Sequence, residues 1–548
     1  MKVRKQKKLV KNVSLLAAVT AAVCLTCGFA GADEHASGEA GTLRSATYYS
    51  DDWVVNFWNS ESANREEELA QIAQDGFNNI ILCIPWREFQ PQLAPYGYSG
   101  YSWEKLDRVM EAAAAQGLSV MLRVGYTWDY GGSESVLNRY SRLFYEDQER
   151  SAWLAYVEKL YQRASAHENF CGGFLTWEDF WNFVDWVTAM RKTQENQNLA
   201  EKTGYRDFVM ERYELEEVCR LYVDEAEDWD ELYFPTKELP AMKVFYEFYD
   251  EFLNQLLADS QQVFPGLSME VRLDLDPVYS LDETMYGFSH QSTFSCGQSP
   301  FTSAMYSVSM GQEGKHQLTA KDALSQLPGQ LERLRRLNGG KPVYLDQFLF
   351  TDNTPGFEQN PRLLDSEKAE FLEKAAPVLR EHAMGYGIWT YRDYCNNKLF
   401  NSQFALGTEG WRAYGVRVEE ETDGKKNRRA VLSSGATLSQ DIGNHQAGIA
   451  GDGVRASFLA QSSGVSDVTV TLGNVSKAIT VSGTQKVELD FGEAALDCLT
   501  IKNKGADLYV DNVQVYTWIT KGEIYQFNGE PDECLTAVRQ LNAALDQR

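Results

Sequence analysis

Residues 172–181, GGFLTWEDFW, carry two carboxylates, Glu178 and Asp179, between Trp177, Phe180 and Trp181, just where a short apolar strand pattern ends. Two readings compete. An acidic surface turn asks nothing further of these side chains. A sugar-cleaving site needs both residue kinds, with aromatic faces to hold a glycan ring and a carboxyl group to protonate the leaving oxygen. A carboxyl among large rings loses hydration, which disfavours its charged form and raises its pKa toward that of a general acid. Glycosidic cleavage also asks for a second carboxylate, about 5–5.5 Å away for retention of configuration or roughly 6.5–9.5 Å for inversion. The rest of the chain must supply that partner and the scaffold that brings the two together.

At 548 residues with 43% hydrophobic content, the chain has material for two or three domains with full cores. Its formal charge is −26, although residues 1–32 contribute six cations and no acid, so the remainder is more acidic still. Such a surface repels phosphate backbones and argues against a nucleic-acid partner. Neutral glycans meet no such penalty, and 28 Tyr, 27 Phe and 13 Trp supply flat apolar faces for them.

The N-terminus reads as an export signal over residues 1–32. MKVRKQKKLVK is a basic head, VSLLAAVTAAVCL an apolar run, and Ala30-Gly31-Ala32 an A-x-A cleavage site. The expectation is a secreted, extracellular or cell-surface protein that meets no membrane beyond an uncleaved form of this signal; residues 13–30 carry no charge, so such an anchor is the rival reading. A lipoprotein reading through Cys24 or Cys27 lacks a good Leu-Ala-Gly box. Residues 33–44 follow as a linker. Seven further cysteines, at 83, 171, 219, 296, 395, 498 and 534, show neither C-x-x-C pairs nor zinc spacing. Their odd number leaves at least one free, and Cys83 and Cys171 lie in apolar strand patterns that suit core residues. The six scattered histidines form no metal constellation, so no metal and no cofactor is expected.

Strand and helix patterns then alternate. WVVNFWN (53–59) reads as a strand and 63–76 as a helix. NNIILCIPW (78–86) is a strand, 102–117 a helix, SVMLRVGY (119–126) a strand and 147–167 a helix. The opening stretch is the fourth strand. A longer helical region (205–263) leads to LSMEVRLD (267–274). MYSVSM (305–310), helix 321–338, KPVYLDQFLF (341–350), helix 366–382 and MGYGIWTY (384–391) complete the series. Continuous apolar strands separated by helices imply a parallel sheet covered on its faces. Eight units between residues 45 and 397 fit a (β/α)8 TIM barrel. A doubly wound open sheet is the runner-up, without a Gly-rich phosphate loop to support it. From 398 to 520 helical periodicity gives way to short alternating runs (ATLSQDIG, GVRASFLA, SDVTVTLG, KAITVSG, QKVELDFG, LYVDNVQVY), the pattern of an all-β sandwich. Residues 521–548 end in PDECLTAVRQLNAALDQ, whose Leu535, Val538, Leu541 and Leu545 share one helical face. No helix follows strand 8 directly, so this segment is expected to be the barrel's eighth helix.

The span PWREFQPQLAPYGYSGYSWEKLDRVMEAAAAQGLSVMLRV (85–124) resembles the strand 2 to strand 3 segment of glycoside hydrolase clan A, the cellulase and β-galactosidase superfamily. A W-x-x-F/E-x-P turn there leads to a Tyr/Trp stretch, a helix bearing Leu-Asp, and Gly before strand 3. NSQFALGTEGW (401–411) and ADLYVDNVQVY (506–516) are similar to the opening and closing of a carbohydrate-binding jelly roll. The two resemblances cover most of the chain after residue 32. They imply a TIM-barrel glycosidase with a jelly-roll accessory domain and a retaining outcome.

In that clan the general acid/base ends strand 4, which places it at Glu178, although Trp177 stands where the clan has Asn. The second carboxylate should end strand 7, and there the usual register of the nucleophile falls on Gln347. Alternation turns neighbouring side chains to opposite faces. It aims Tyr344, Asp346 and Phe348 at the barrel centre, with Phe174, Thr176 and Glu178 from strand 4 and Glu270, Arg272 and Asp274 from strand 5. Asp346 is therefore the second carboxylate, and Glu270 the next to consider. An internal ion pair of Asp346 with Arg123 or Arg272 is the competing reading. Arg87 and Trp128 at the ends of strands 2 and 3, Trp177, Tyr306 on strand 6 and Trp389 on strand 8 are placed around the pair to bind substrate. Trp389 matches the clan's strand-8 sugar platform, while core packing competes for the other aromatics. Two functions follow. One is a secreted glycoside hydrolase cutting O-glycosidic bonds of a polysaccharide or oligosaccharide. The other is a non-catalytic glycan-binding protein whose barrel lost its nucleophile, as Gln347 implies.

Overall fold

The computed structural model describes residues 42–546 apart from 51, 53, 59–64, 94, 127–135, 274, 291–297, 311, 313, 352–359, 396, 423–426, 443–452, 518 and 528. Eight parallel strands close into a barrel: β1 (Leu43–Thr47), β2 (Asn79–Pro85), β3 (Ser119–Tyr126), β4 (Phe170–Leu175), β5 (Ser268–Arg272), β6 (Thr302–Ser307), β7 (Val343–Leu349) and β8 (Gly385–Ile388). Each pairs with its neighbours in chain order, and β8 returns to β1 with Leu43 opposite Gly385 and Ala46 opposite Ile388. The fold is thus a TIM barrel, and the open doubly wound sheet is excluded. At the seam a side chain on Gly385 would meet Leu43 Cβ at 2.5 Å, so only glycine lets these strands pair.

Two element readings are corrected. WVVNFWN is not the first strand. Val54–Phe57 is a helical turn that buries Val54 and Phe57, and the strand is LRSAT, upstream of it. Its Ser45 faces the barrel interior and accepts the Tyr344 hydroxyl at 2.7 Å, so polarity hid it from a search for apolar runs. In GGFLTWEDFW the strand stops at Leu175, and Trp177 opens a helix rather than extending the strand.

The helical layer around the barrel includes α1 (Arg65–Gln74), α2 (Gly100–Ala115), α3 (Asp147–Ala164), α4 (Trp177–Ala189), α5 (Met242–Gln261), α6 (Leu327–Leu337), α7 (Lys368–His382) and α8 (Leu535–Asp546). Helix α8 comes last in the chain yet packs against α7 and the end of α1. Leu535, Val538, Leu541 and Leu545 are buried in the same apolar cluster as Phe371, Leu372 and Ile72. Asn542 accepts from the Tyr386 hydroxyl of β8 (2.6 Å) and donates to the Asp75 carbonyl (2.9 Å). Arg539 pairs with the buried Asp75 carboxylate at 2.7 Å, and Asp546 with Arg44 of β1 at 2.8 Å.

Between β8 and α8 the chain builds a separate antiparallel all-β domain from β9 (Arg412–Glu420), β10 (Arg428–Asp441), β11 (Val454–Leu472), β12 (Val475–Gly492), β13 (Cys498–Asn503) and β14 (Leu508–Tyr516). The expected short strands are here fused. GVRASFLA and SDVTVTLG belong to β11, and KAITVSG and QKVELDFG to β12. Ser462–Val465 is a bulge that bends β11 without reversing it, because β12 pairs with it on both sides of the break. The bend lets one strand serve two layers. β11 pairs with β14 through Arg455–Ser462 and with β13 through Val468–Leu472, and β10 does the same on either side of Gly435. Leu432, Leu438, Phe458, Val470, Leu499 and Val510 fill the space between.

The all-β domain is fastened to the barrel by polar contacts. Gln514 of β14 donates to Asp52 beyond β1 at 2.9 Å, and Glu523, in the segment returning from that domain to α8, pairs with Lys368 of α7 at 2.5 Å. Among the described residues no helix is long and apolar enough to cross a membrane. Because Leu541 is fully buried among barrel helices, Leu541→Ala should cost about 2–5 kcal/mol of barrel stability. Urea unfolding followed by the barrel's tryptophan fluorescence measures it, and a loss below about 0.5 kcal/mol would mean that α8 is not integral to the barrel.

Candidate active site

The barrel interior is layered. Its floor is apolar, made of Ile81, Met121, Phe174, Phe301 and Tyr344. Above it lies a polar layer in which Arg123 of β3, Glu270 of β5, Ser303 of β6 and Asp346 of β7 converge. Arg123 is 2% exposed, Glu270 and Asp346 1% each. Gly387 of β8 leaves room there, since a side chain would strike the Asp346 carbonyl at 2.7 Å.

Strand β7 carries one residue more than its neighbours across this layer. Tyr344 faces Ser303 and Gln347 faces Met305, while Leu345 faces Tyr386 and Phe348 faces Ile388. The extra residue makes a bulge at Asp346–Gln347. Strict alternation fails there, and this corrects the expected inward set. Asp346 points inward as the sequence predicts. Gln347 also reaches the interior and donates to Glu270 Oε1 at 3.3 Å. Phe348 is turned outward, stacked between Tyr306 and Phe371 of α7.

The charges of the layer do not balance if both acids ionise. Ser303 donates to Asp346 Oδ1 at 2.8 Å, while no donor reaches the buried Asp346 Oδ2. Burial holds the Asp346 carboxyl above the usual carboxylate range, against the opposing pull of its contact with Glu270, the Arg123 charge and the Ser303 hydroxyl. Arg123 lies 3.7 Å from Glu270. One guanidinium facing two buried carboxyls leaves an uncompensated negative charge unless the pair keeps a proton. The pair shares that proton, and Arg123 and the Gln347 amide lie against Glu270. The competing sequence reading, an ion pair with Arg123, thus falls mainly on Glu270.

Above the layer, Trp389 follows β8, its ring 5.8 Å from the Arg123 guanidinium carbon and 5.6 Å from the Tyr49 ring. Trp389 is thus brought against the Arg123 end of the polar layer. Tyr306 is not: its side chain faces the helices, where its hydroxyl donates to the Ala323 carbonyl at 3.1 Å. The inward positions of β6 are Ser303 and its alternates, so Tyr306 is core rather than rim. Arg87 is buried with its guanidinium 4.6 Å over the Phe400 ring, at the join to the all-β domain. Trp128 lies outside the described residues, as do the side chains of Trp177 and Glu178. The backbone of Glu178 is in the first turn of α4, whose start is wedged by two aromatics. Phe180 packs edge-on against Tyr140 (5.0 Å) and Trp153 (6.2 Å), and Trp181 stacks on Tyr246 of α5 (5.6 Å). Phe180 is thus core, not a sugar face.

Arg123, Ser303 and Gly387 are members of the site that the sequence did not assign to it. Arg123 left a signal, because a charge inside SVMLRVGY at the parity of Met121 demands an inward counter-charge, and Glu270 in LSMEVRLD supplies it. Among the described residues no group of three or more His, Cys, Asp or Glu is arranged to hold a metal ion.

No family model and no curated protein sequence matches the chain. Solved structures similar to it include glycoside hydrolases. A β-galactosidase from Rahnella sp. R3 aligns at 12% identity and TM-score 0.44, over 65% of this chain and 51% of that one. A catalytic mutant of a GH42 β-galactosidase from G. stearothermophilus aligns at 11% and 0.45, over 65% and 52%. A GH5_18 protein from Streptomyces cattleya in complex with GlcNAc aligns at 14% and 0.40, over 65% and 72%. The chain spans about half the length of the two β-galactosidases.

The shared proton has a measurable consequence. A carboxyl whose pKa is raised by folding adds stability that is complete below its unfolded value, about 4, and is lost as pH rises through the folded value. Asn at 346 carries no charge, keeps the Ser303 bond and can donate to Glu270. Asp346→Asn should therefore match the parent at pH 4 and gain on it at higher pH, by up to about 1.4 kcal/mol per pH unit within that window. Urea unfolding at pH 4, 5.5 and 7 would show this, and a variant less stable than the parent at pH 7 would refute the shared proton.

Proposed function

We propose that the chain is a carbohydrate-active hydrolase that cleaves O-glycosidic bonds of a polysaccharide or oligosaccharide at the open end of its barrel. The observation that carries this reading is the Asp346–Glu270 carboxyl pair buried beneath Trp389. Two acids in one buried layer that share a proton offer the carboxylate that glycosidic cleavage requires beside a proton donor. Glu178, at the start of α4, is the proposed proton donor to the leaving oxygen. Glu270, backed by Arg123 and Gln347, is the proposed carboxylate facing the positive charge that develops on the sugar ring, and Asp346 sets its protonation. Trp389 offers the flat face against which a pyranose can rest. The N-terminal basic and apolar segment supports export, and the all-β domain is a proposed accessory glycan-binding module.

Gln347 favours a second reading. It occupies the strand-7 place where a clan A nucleophile would stand, and an amide there binds hydroxyls without attacking carbon. On that reading the barrel binds glycan and does not turn it over.

Reducing-sugar release across a panel of neutral polysaccharides separates the two. Hydrolysis should fall at least 100-fold in Glu178→Gln and in Glu270→Gln, while calorimetric affinity changes less than tenfold. Binding by the parent without release of reducing ends selects the second reading. Turnover that survives Glu270→Gln would remove that residue from the mechanism.

A further inference from the structure

One buried titratable group lies outside the layer just described. His290 sits between two carboxylates, its Nδ1 2.7 Å from Asp250 Oδ1 of α5 and its Nε2 2.8 Å from Asp276 Oδ2. Asp276 begins a hairpin, Asp276–Tyr279 paired with Met285–Phe288, which rises directly beyond β5 on the side of the barrel where catalytic loops gather. All three side chains are buried. A neutral imidazole has one N–H and would turn a lone pair toward one of the two carboxylates; only the imidazolium donates to both. Burial works against that charge, but the two aspartates outweigh it and push the His290 pKa up to about 9.

The bridge has an aromatic contact on the far side. The His290 ring packs edge-on against Tyr246 (5.2 Å), Phe288 (5.0 Å) and Trp181 (6.5 Å), and Trp181 stacks on Tyr246. Trp181 stands one helical turn beyond Glu178 in α4. The wall that seats Trp181 is thus assembled from α5 and the hairpin, two elements that the bridge ties together.

We propose that Asp250–His290–Asp276 is a positioning bridge: it holds the hairpin to α5, fixes the Tyr246–Phe288 wall under Trp181, and so sets the first turn of α4 from which Glu178 acts. The role assigned to Glu178 rests on the function proposed above; the seating of Trp181 does not. Other charged groups around the wall are Arg272 of β5 and Asp185 of α4, both felt by Tyr246, and Lys237, whose ammonium lies 5.7 Å from the Trp181 ring and pairs with Asp185. Burial keeps the Tyr246 hydroxyl protonated well beyond the range in which His290 titrates.

The test uses the full chain labelled with 5-fluorotryptophan, with the Trp181 resonance assigned by Trp181→Phe. In the parent that resonance should shift as pH rises through about 9 and the bridge loses its proton. In His290→Gln, which can donate to only one aspartate, it should start displaced and show no such step. Asp276→Asn should likewise displace it. Turnover of a panel substrate is followed in parallel. In His290→Gln, kcat should fall about tenfold or more with KM within threefold, and the alkaline limb near pH 9 should disappear. A Trp181 resonance unmoved in both variants overturns the bridge. A displaced resonance with parent kcat and an unchanged alkaline limb overturns its role in positioning Glu178. If the parent itself turns over nothing, the hydrolase reading and the catalytic role fail together, while the fluorine signal still decides the seating of Trp181.

Discussion

Asp75 is where the molecule is fastened shut. Its carboxylate is buried at the end of α1 and accepts from the Tyr391 hydroxyl (2.7 Å), the Tyr525 hydroxyl (3.0 Å) and Arg539 (2.8 Å), while its carbonyl accepts from Asn542. These donors come from the segment after β8, the segment after the all-β domain, and α8. A buried carboxylate without partners would cost several kcal/mol, so the three segments have to meet there. Closure of the helical layer thereby depends on the return of the chain from the all-β domain. That domain leaves the barrel at one end of the contact and comes back at the other. It is held against the rim by Gln514–Asp52 and by Phe400 under Arg87.

The polar layer inside the barrel is the second constraint. Apolar layers would fill the same volume at less cost, because each buried charge must be matched. Arg123, Glu270, Ser303, Asp346 and Gln347 are set against one another, and Asp346 Oδ2 is among the buried atoms left without a hydrogen bond. The cluster lies against the Trp389 ring through Arg123 and marks the layer as the candidate site of the barrel.

Element type was legible wherever apolar periodicity was long. The strands at 78–86 and 119–126 and the helices at 102–117 and 366–382 emerge within a few residues of their observed ends, because burial on both faces leaves an unbroken apolar record. LRSAT was illegible, since a strand whose interior positions are Ser45 and Thr47 looks like a linker. The Gly and Ser residues of the all-β domain were read as turns, yet at Gly435 and Ser462–Val465 they bend strands that continue. Of the site, Asp346 and Glu270 could be chosen by parity, and Trp389 by its resemblance to a strand-8 tryptophan. The bulge could not, because the extra residue of β7 is defined by its neighbours' lengths and not by any local motif. Parity therefore misplaced Gln347 and Phe348. Tyr306 failed for a different reason: aromatic rings suit a sugar face and a helix-covered core equally well, and nothing in MYSVSM distinguishes the two.

The bulge also explains why position 347 carries an amide. With Asp346 and Gln347 both reaching the interior, a glutamate at 347 would be a third carboxyl in a layer where two already share a proton. Arg123 is the cation seen against Glu270, at 3.7 Å, and a further buried negative charge beside it would have to stay protonated or force the strand apart. Glutamine keeps the length of glutamate, adds no charge and donates to Glu270. Measured against clan A alone, Gln347 looks like a lost nucleophile. Measured against its own neighbours, Gln347 is an uncharged donor placed between two buried carboxyls, one on its own strand and one on β5, two strands away.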